Sequence, residues 1–270
     1  MNANEHRMLE ILIEGRERFH FAAVKAEFEA EGTRTDELLR LLEIARRADV
    51  KVGLKIGGCE AIRDLIECKQ FGVDYIIAPM VETPYALSKY IEAKNKIYPA
   101  YEREQVRFLF NIETISAFGQ LEELTKVAAT ADGADGFVFG RVDFAGSLGI
   151  GRAKIDTDDV TGYVLKTAEA ARSAGLELVM GGGVNPASIP AMREVRAIKL
   201  DRFETRKIIF HADILDGDTT EEALSLAIEF ELLWLKNKRD YYSFIGKEDD
   251  QRIDMLEARF GTIAPARVVA

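Results

Sequence analysis

Four apolar runs in this 270-residue chain carry ionisable or amide side chains at every second position, the spacing at which a β-strand presents them on one face. AAVKAEF (22–28) sets Lys25 and Glu27 against Val24, Ala26 and Phe28. VKVGLKIG (50–57) sets Lys55 against Val52, Leu54 and Ile56. RFLFNIE (107–113) sets Asn111 and Glu113 against Phe108, Phe110 and Ile112, and AIKLD (197–201) sets Lys199 and Asp201 against Ile198 and Leu200. Once enclosed, such groups must pair or bind a ligand, because an isolated buried charge is costly. For Lys25 and Lys199, early on their runs, structural pairing is the simpler reading; for Glu27, Lys55, Asn111 and Glu113, near the C-terminal ends, a functional role is expected. Two more segments carry chemistry. GGGVNPAS (181–188) offers glycine amides ahead of an Asn185–Pro186 helix start, suited to a phosphate or carboxylate and equally to a tight strand-to-helix turn. RFETRK (202–207) presents Arg202, Glu204 and Arg206 as an anion clamp or as an ordinary charged loop.

The elements that must position these residues alternate. Short β-branched or aromatic runs at 19–28, 50–56, 73–79, 106–112, 135–140, 176–182 and 196–203 are separated by helical stretches. Thr35 caps a helix to about Ala48. A second, about 60–71, stops at Gly72; Pro84 suits the first turn of a third. Others span about 116–130 and 158–174, and Thr219 with Glu222 opens a long one to about Lys238, before a last at about 248–259. Strand–helix alternation means βαβ units and a parallel sheet, so the fold class is α/β. Seven strands are one short of a closed (β/α)8 TIM barrel, and 8–13 or 207–214 supplies the eighth. The expected organisation is a single domain over 1–270, with about 219–270 a C-terminal helical extension used in oligomer packing. In a barrel the apolar sets meet the helix ring and the polar sets line the lumen, and chemistry belongs at the C-terminal strand ends.

Composition excludes several partners. With 36 basic and 46 acidic residues the net charge is −10, which argues against nucleic acid and against an anionic membrane surface. No apolar run approaches the roughly 18 residues of a membrane span. The N-terminal segment has no signal-peptide core, so a cytoplasmic location is expected. Two cysteines, Cys59 and Cys68, make neither a disulfide framework nor a metal-ligand spacing.

Three segments are more specific. GVDYIIAPMVETPYAL (72–87), FLFNIET (108–114) and GFVFGRVDFAGSLG (136–149) resemble the HpcH/HpaI aldolase and citrate lyase β-subunit family, with weaker similarity from about Val24 to Asp201. The resemblance implies a carbon–carbon lyase or aldolase that binds Mg²⁺ or Mn²⁺ through Glu113 and Asp143. Hard divalent cations take oxygen ligands and are held by one or two carboxylates, leaving positions for a chelating 2-oxo acid. The metal then stabilises the enolate formed as a carbon–carbon bond breaks or forms. The resemblance also implies that Asn111 hydrogen-bonds the substrate, that the backbone around Gly140, Arg141 and Asp143 receives the carboxylate of a small anionic substrate, and that the protein is a homo-oligomer. Arg206 is the further candidate for an anionic group.

Two departures from the family pattern matter. Family aldolases carry an oxyanion-steadying arginine where this chain has Lys55, which supplies the charge without the bidentate fork. A desolvated lysine there is alternatively a Schiff-base nucleophile. Pyruvate-specific members also use a histidine in the loop that here reads EFEAEGTRTDE (27–37), and His6, His20 and His211 lie elsewhere. Proton transfer would then fall to Glu27 or to a water on the metal, or the substrate differs. The alternatives are an acyl-CoA lyase of the citrate lyase β-subunit type, which needs a basic entrance for the CoA phosphates, and a non-catalytic metabolite-binding or scaffold barrel.

Overall fold

The computed structural model describes residues 1–263. Helix α1 (Ala3–Arg18) opens on a capping box between Asn2 and Glu5 and buries Met8, Ile11, Leu12 and Gly15. These positions recur at i, i+3, i+4 and i+7, one face of a helix, which is why 8–13 is not a strand. Gly15 lets the helix sit on the barrel: a Cβ there would lie 2.1 Å from the Phe21 ring.

Eight strands close into a barrel in chain order: β1 (Phe21–Glu27), β2 (Lys51–Lys55), β3 (Tyr75–Ala78), β4 (Arg107–Ile112), β5 (Gly136–Gly140), β6 (Glu177–Gly181), β7 (Arg202–Glu204) and β8 (Ile208–His211). Neighbours from β1 to β7 are parallel, as alternation with helices requires. Between them lie α2 (Thr35–Arg47), α3 (Ile62–Phe71), α4 (Pro84–Ile97), α5 (Ala100–Arg103), α6 (Ile115–Phe118), α7 (Leu121–Ala128), α8 (Arg141–Ser147), α9 (Asp158–Ala174) and α10 (Ile189–Ile198). Gly72 and Gly175 end α3 and α9 in the left-handed conformation. The stretch 116–130 is two short helices rather than one.

The barrel closes differently from the sequence expectation. β8 falls within 207–214 but runs antiparallel to both β7 and β1. The chain reverses at 205–207, where Thr205 N–H donates to Ile208 C=O at 2.9 Å, so the last unit is a hairpin and not a crossover. The run 196–203 is likewise not one strand. Ile189, Met192 and Val195 bury one face of α10, and the run straddles that helix and β7. Lys199 and Asp201 therefore do not face the lumen: they pair at 2.9 Å on the connection, where Asp201 accepts from Leu178 N–H at 2.8 Å.

The two helices expected after 219 are one, α11 (Thr220–Ile263), because no proline lies between them and the single Gly246 is accommodated within the helix. Its first half packs through Ala223, Leu224, Ala227, Phe230 and Trp234, while beyond about 238 its side chains are mostly exposed. Residues 264–270 of the expected extension lie outside the described residues. Among the described residues no helix is long and apolar enough to cross a membrane.

Inside the barrel the alternation argument holds for β1, β2 and β4. Val24, Ala26, Leu54, Phe108 and Phe110 join the core under the helices. Two small lumen clusters, Ala22 with Ala23, Tyr75 and Ile209, then Ile77 with Leu109, Val138 and Val179, plug the interior. Lys25, Glu27, Lys55, Asn111 and Glu113 stand above this apolar floor.

Candidate active site

The C-terminal ends of the strands surround a cleft of about 500 Å³. Glu113 follows β4 directly and is 1% exposed. Its Oε1 accepts from the Met80 N–H at 2.8 Å. The loop after β3 aims that donor by placing Met80 at φ +49°, a conformation a non-glycine residue adopts only under constraint. Its Oε2 accepts from Asn111 Nδ2 at 2.5 Å and lies 3.5 Å from Lys55 Nζ. Thr114 then caps α6 and donates to Glu82, fixing the turn behind Glu113.

Asp143 sits in the first turn of α8 and reaches the same cleft. It is exposed and makes no hydrogen bond or ion pair among the described residues. Ser147, at the far end of this helix, accepts from Ile115 N–H at 2.9 Å and donates to Phe144 C=O at 2.7 Å. The serine of the Asp143 motif thus staples the Asp143 helix to the Glu113 loop. Gly140 is required for the meeting, since a Cβ there would lie 2.9 Å from both Cβ and Oε2 of Glu113.

Burial, aided by the Asp143 charge, lifts the Glu113 carboxyl above its ordinary range against the pull of Lys55, Met80 N–H and Asn111. Burial alone would lower Lys55, but Glu113, Glu29 and Glu27 outweigh it and raise its pKa. Glu29 lies 3.0 Å away. Lys55 is therefore held as an ammonium.

A second polar group stands across the cleft. Lys25 Nζ donates to Glu204 Oε1 at 2.5 Å and lies 3.3 Å from Glu27. The structural pairing expected for Lys25 is present, and it engages Glu27 too. Arg206 reaches the cleft rim, paired with Glu31 at 2.9 Å. Arg141 is turned away: its buried guanidinium bonds Asp156 at 2.6 Å, Ser188 at 3.1 Å and Gly181 C=O at 3.3 Å, joining two loops. The GGGVNPAS segment is a strand-to-helix turn in which Asn185 accepts from Ala187 N–H at 2.8 Å, and Gly182 packs on the backbone of Arg141 and Val142. None of His6, His20 and His211 lines the cleft.

The sequence reading passed over three charged cleft residues, Glu29, Arg152 and Glu231. Glu29 continues the alternation of Glu27 past the strand end. Arg152 follows Gly149 and Gly151, both at positive φ, and its side chain makes no ion pair or hydrogen bond among the described residues. The glycines flanking it were the available signal.

The lining holds Lys25, Lys55, Arg152 and Arg206 against Glu27, Glu29, Glu113, Asp143, Glu204 and Glu231, four cations to six carboxylates, a net charge of −2. Among the described residues there is no cluster of three or more His, Cys, Asp or Glu side chains able to cage a metal. What converges is an all-oxygen set of Glu113 and Asp143, and the buried Oδ1 of Asn111 has no hydrogen-bond partner among the described residues. Carboxylate and amide oxygens are the donors that hard divalent cations such as Mg²⁺ and Mn²⁺ take.

A search of curated protein sequences finds no match. Among solved structures, the chain is similar to the HpcH/HpaI aldolase of Desulfitobacterium hafniense DCB-2, at 15% identity and TM-score 0.57, over 73% of this chain and 82% of that one. It is similar to an HpcH/HpaI aldolase/citrate lyase family protein from Burkholderia cenocepacia J2315, at 16% identity and TM-score 0.59, over 74% and 83%. A citrate synthase variant aligns at 17% identity and TM-score 0.55, over 73% and 81%. These likenesses establish the fold. The sequence profile of the HpcH/HpaI aldolase/citrate lyase family matches residues 31–188, more than half the chain and the stretch that carries both Glu113 and Asp143. The chain belongs to the HpcH/HpaI aldolase/citrate lyase family.

Proposed function

We propose that this protein is a divalent-metal-dependent carbon–carbon lyase or aldolase that acts on a small anionic 2-oxo acid through its enolate. The observation that carries the reading is the meeting of Glu113 and Asp143 in one cleft whose fixed charge is −2. An anionic substrate would be repelled by that lining, and one divalent cation neutralises it. Glu113 and Asp143 would hold Mg²⁺ or Mn²⁺, which when bound supplies Lewis-acid stabilisation of the enolate oxygen.

The chain's own residues do the rest. Lys55, held as an ammonium 3.5 Å from Glu113, places a fixed positive charge where negative charge develops. That protonated state favours the oxyanion role over a Schiff base, which needs the free amine. Asn111 commits Nδ2 to Glu113, fixing its orientation, and offers Oδ1 to a donor in the cleft. Arg152 and Arg206 are the cations for a distal anionic group of the substrate. The apolar floor of Ile77, Leu109, Val138 and Val179 closes the site from below and keeps its dielectric low. The exposed Phe244 and Phe260 on the outer half of α11 support the expected homo-oligomer.

Thermal unfolding tests the reading. Saturating Mg²⁺ or Mn²⁺ stabilises a protein that binds it only when folded, by about 2.7 kcal/mol at a hundredfold excess over Kd. The wild type is expected to show such a shift, and Glu113→Gln and Asp143→Asn to lose it. An equal shift in all three proteins, or none in the wild type, overturns the assignment.

A further inference from the structure

We propose that Glu204 is the acid–base residue of the cleavage step, removing the proton from the substrate hydroxyl on the carbon that becomes the released aldehyde. The proposal rests on the enolate reading above and assigns the role that a histidine would otherwise fill.

Three observations carry it. Glu204 is 5% exposed yet lines the cleft. Its Oε1 is fixed by Lys25 Nζ at 2.5 Å, while its buried Oε2 has no hydrogen-bond partner among the described residues. A buried carboxylate oxygen left without a donor is costly, and a substrate hydroxyl in the cleft is a donor of the right kind. The third observation places it opposite the reaction centre. Gly140 and Gly181 are register partners on β5 and β6. Glu113 lies over the first and Glu204 over the second, where a Cβ would come within 3.1 Å of the Glu204 carboxylate. Adjacent strands are about 4.8 Å apart, so the two carboxylates flank the same stretch of cleft. The other carboxylates are less suited. Glu29 Oε2 also lacks a hydrogen bond among the described residues, but it forms an ion pair with Lys55 Nζ at 3.0 Å, and Glu113 is assigned to the metal. Glu27 shares Lys25 but leaves no buried oxygen unpartnered.

In the cleavage direction the hydroxyl proton passes to Glu204 Oε2. The O–H electron pair becomes the carbonyl of the departing aldehyde, and the pair of the breaking C–C bond passes into the enolate beside Lys55. Protonation of the enolate carbon from Glu204 restores its charge. Lys25 holds the carboxylate in place throughout.

The test uses two reactions of the Mg²⁺-loaded full chain. Retro-aldol cleavage of a 4-hydroxy-2-oxo acid needs the hydroxyl proton removed; decarboxylation of oxaloacetate forms the same kind of enolate by losing CO₂ and needs no such base. Glu204→Gln is expected to lose about 10²- to 10⁴-fold in cleavage, the usual range for a general base, and to keep protein-dependent CO₂ release from oxaloacetate, which precedes protonation of the enolate, within about threefold. Retained decarboxylation also shows that the variant is folded and loaded. Cleavage kept within about tenfold, or both reactions lost together, overturns the assignment of Glu204. A wild type that performs neither reaction overturns the enolate reading itself, and this proposal with it.

Discussion

Replacing Gly140 with alanine tests the site through a single methyl group. The added Cβ would lie 2.9 Å from both Cβ and Oε2 of Glu113, inside ordinary contact distance. Restoring contact requires Glu113 to retreat by about 0.5–1 Å, and it has little room, being 1% exposed and tied to Met80 N–H at 2.8 Å and Asn111 at 2.5 Å. Overpacking of this kind costs about 1–3 kcal/mol of stability. A misplacement near 1 Å at a reacting centre costs about 10²-fold in rate. Gly146→Ala is the matched control: it lies in the same short helix as Asp143, with open space where its Cβ would go. Urea unfolding and steady-state cleavage on both variants separate the two effects. Gly140→Ala should lose about a hundredfold in kcat/KM, far more than its partial loss of stability explains at working temperature, whereas Gly146→Ala should stay near wild type in rate. A Gly140→Ala enzyme that turns over at the wild-type rate would refute the claim that Glu113 must be held where it is.

Other outcomes follow from the same geometry. Lys55→Gln makes the cleft more negative, so it should bind Mg²⁺ more tightly by calorimetry while losing about 10²- to 10³-fold in kcat. Borohydride with substrate should leave the wild-type mass unchanged, since Lys55 is an ammonium. Arg152→Ala should raise KM by about 10- to 100-fold with kcat little altered, the value of one charge-assisted hydrogen bond to a substrate anion. Lys94 gives a pH signature remote from the site: burial and the neighbouring Arg103 push its ammonium down to about 8. An unfolded lysine keeps its proton to about 10.4, so between these values the unfolded state binds more protons. Urea midpoints should therefore show wild type gaining stability relative to Lys94→Met as pH rises from about 8 toward 10.

Much of the fold is legible in the sequence because strand and helix periods differ. The alternation in AAVKAEF and RFLFNIE separates lumen from core, and the structure places Lys25, Glu27, Lys55, Asn111 and Glu113 on the lumen side. The same reasoning fails at 196–203, where helix α10 ends and β7 begins inside one apolar run. A strand only three residues long, Arg202–Glu204, carries too little alternation to be heard against the helix before it. The antiparallel β8 is invisible for a different reason: strand direction depends on the turn, and TRK at 205–207 has none of the glycine or asparagine that marks a tight hairpin. At the site, the pairing of Glu113 with Asp143 follows from two motifs, but the role of Arg141 does not, because its guanidinium finds Asp156 and Ser188 only in three dimensions. Glu204 shows the limit most clearly. Read as part of a charged loop, it is a lumen carboxylate because β7 ends on it.

The central claim is that Glu113 and Asp143 together support metal-assisted enolisation. The most direct measurement follows the methyl protons of pyruvate by NMR in D₂O, with wild-type protein and Mg²⁺, then with chelator, then with Asp143→Asn. Loss of the methyl signal in the first sample, and its persistence in the other two, is the expected result. Exchange that continues in chelator, or at the wild-type rate in Asp143→Asn, would contradict it.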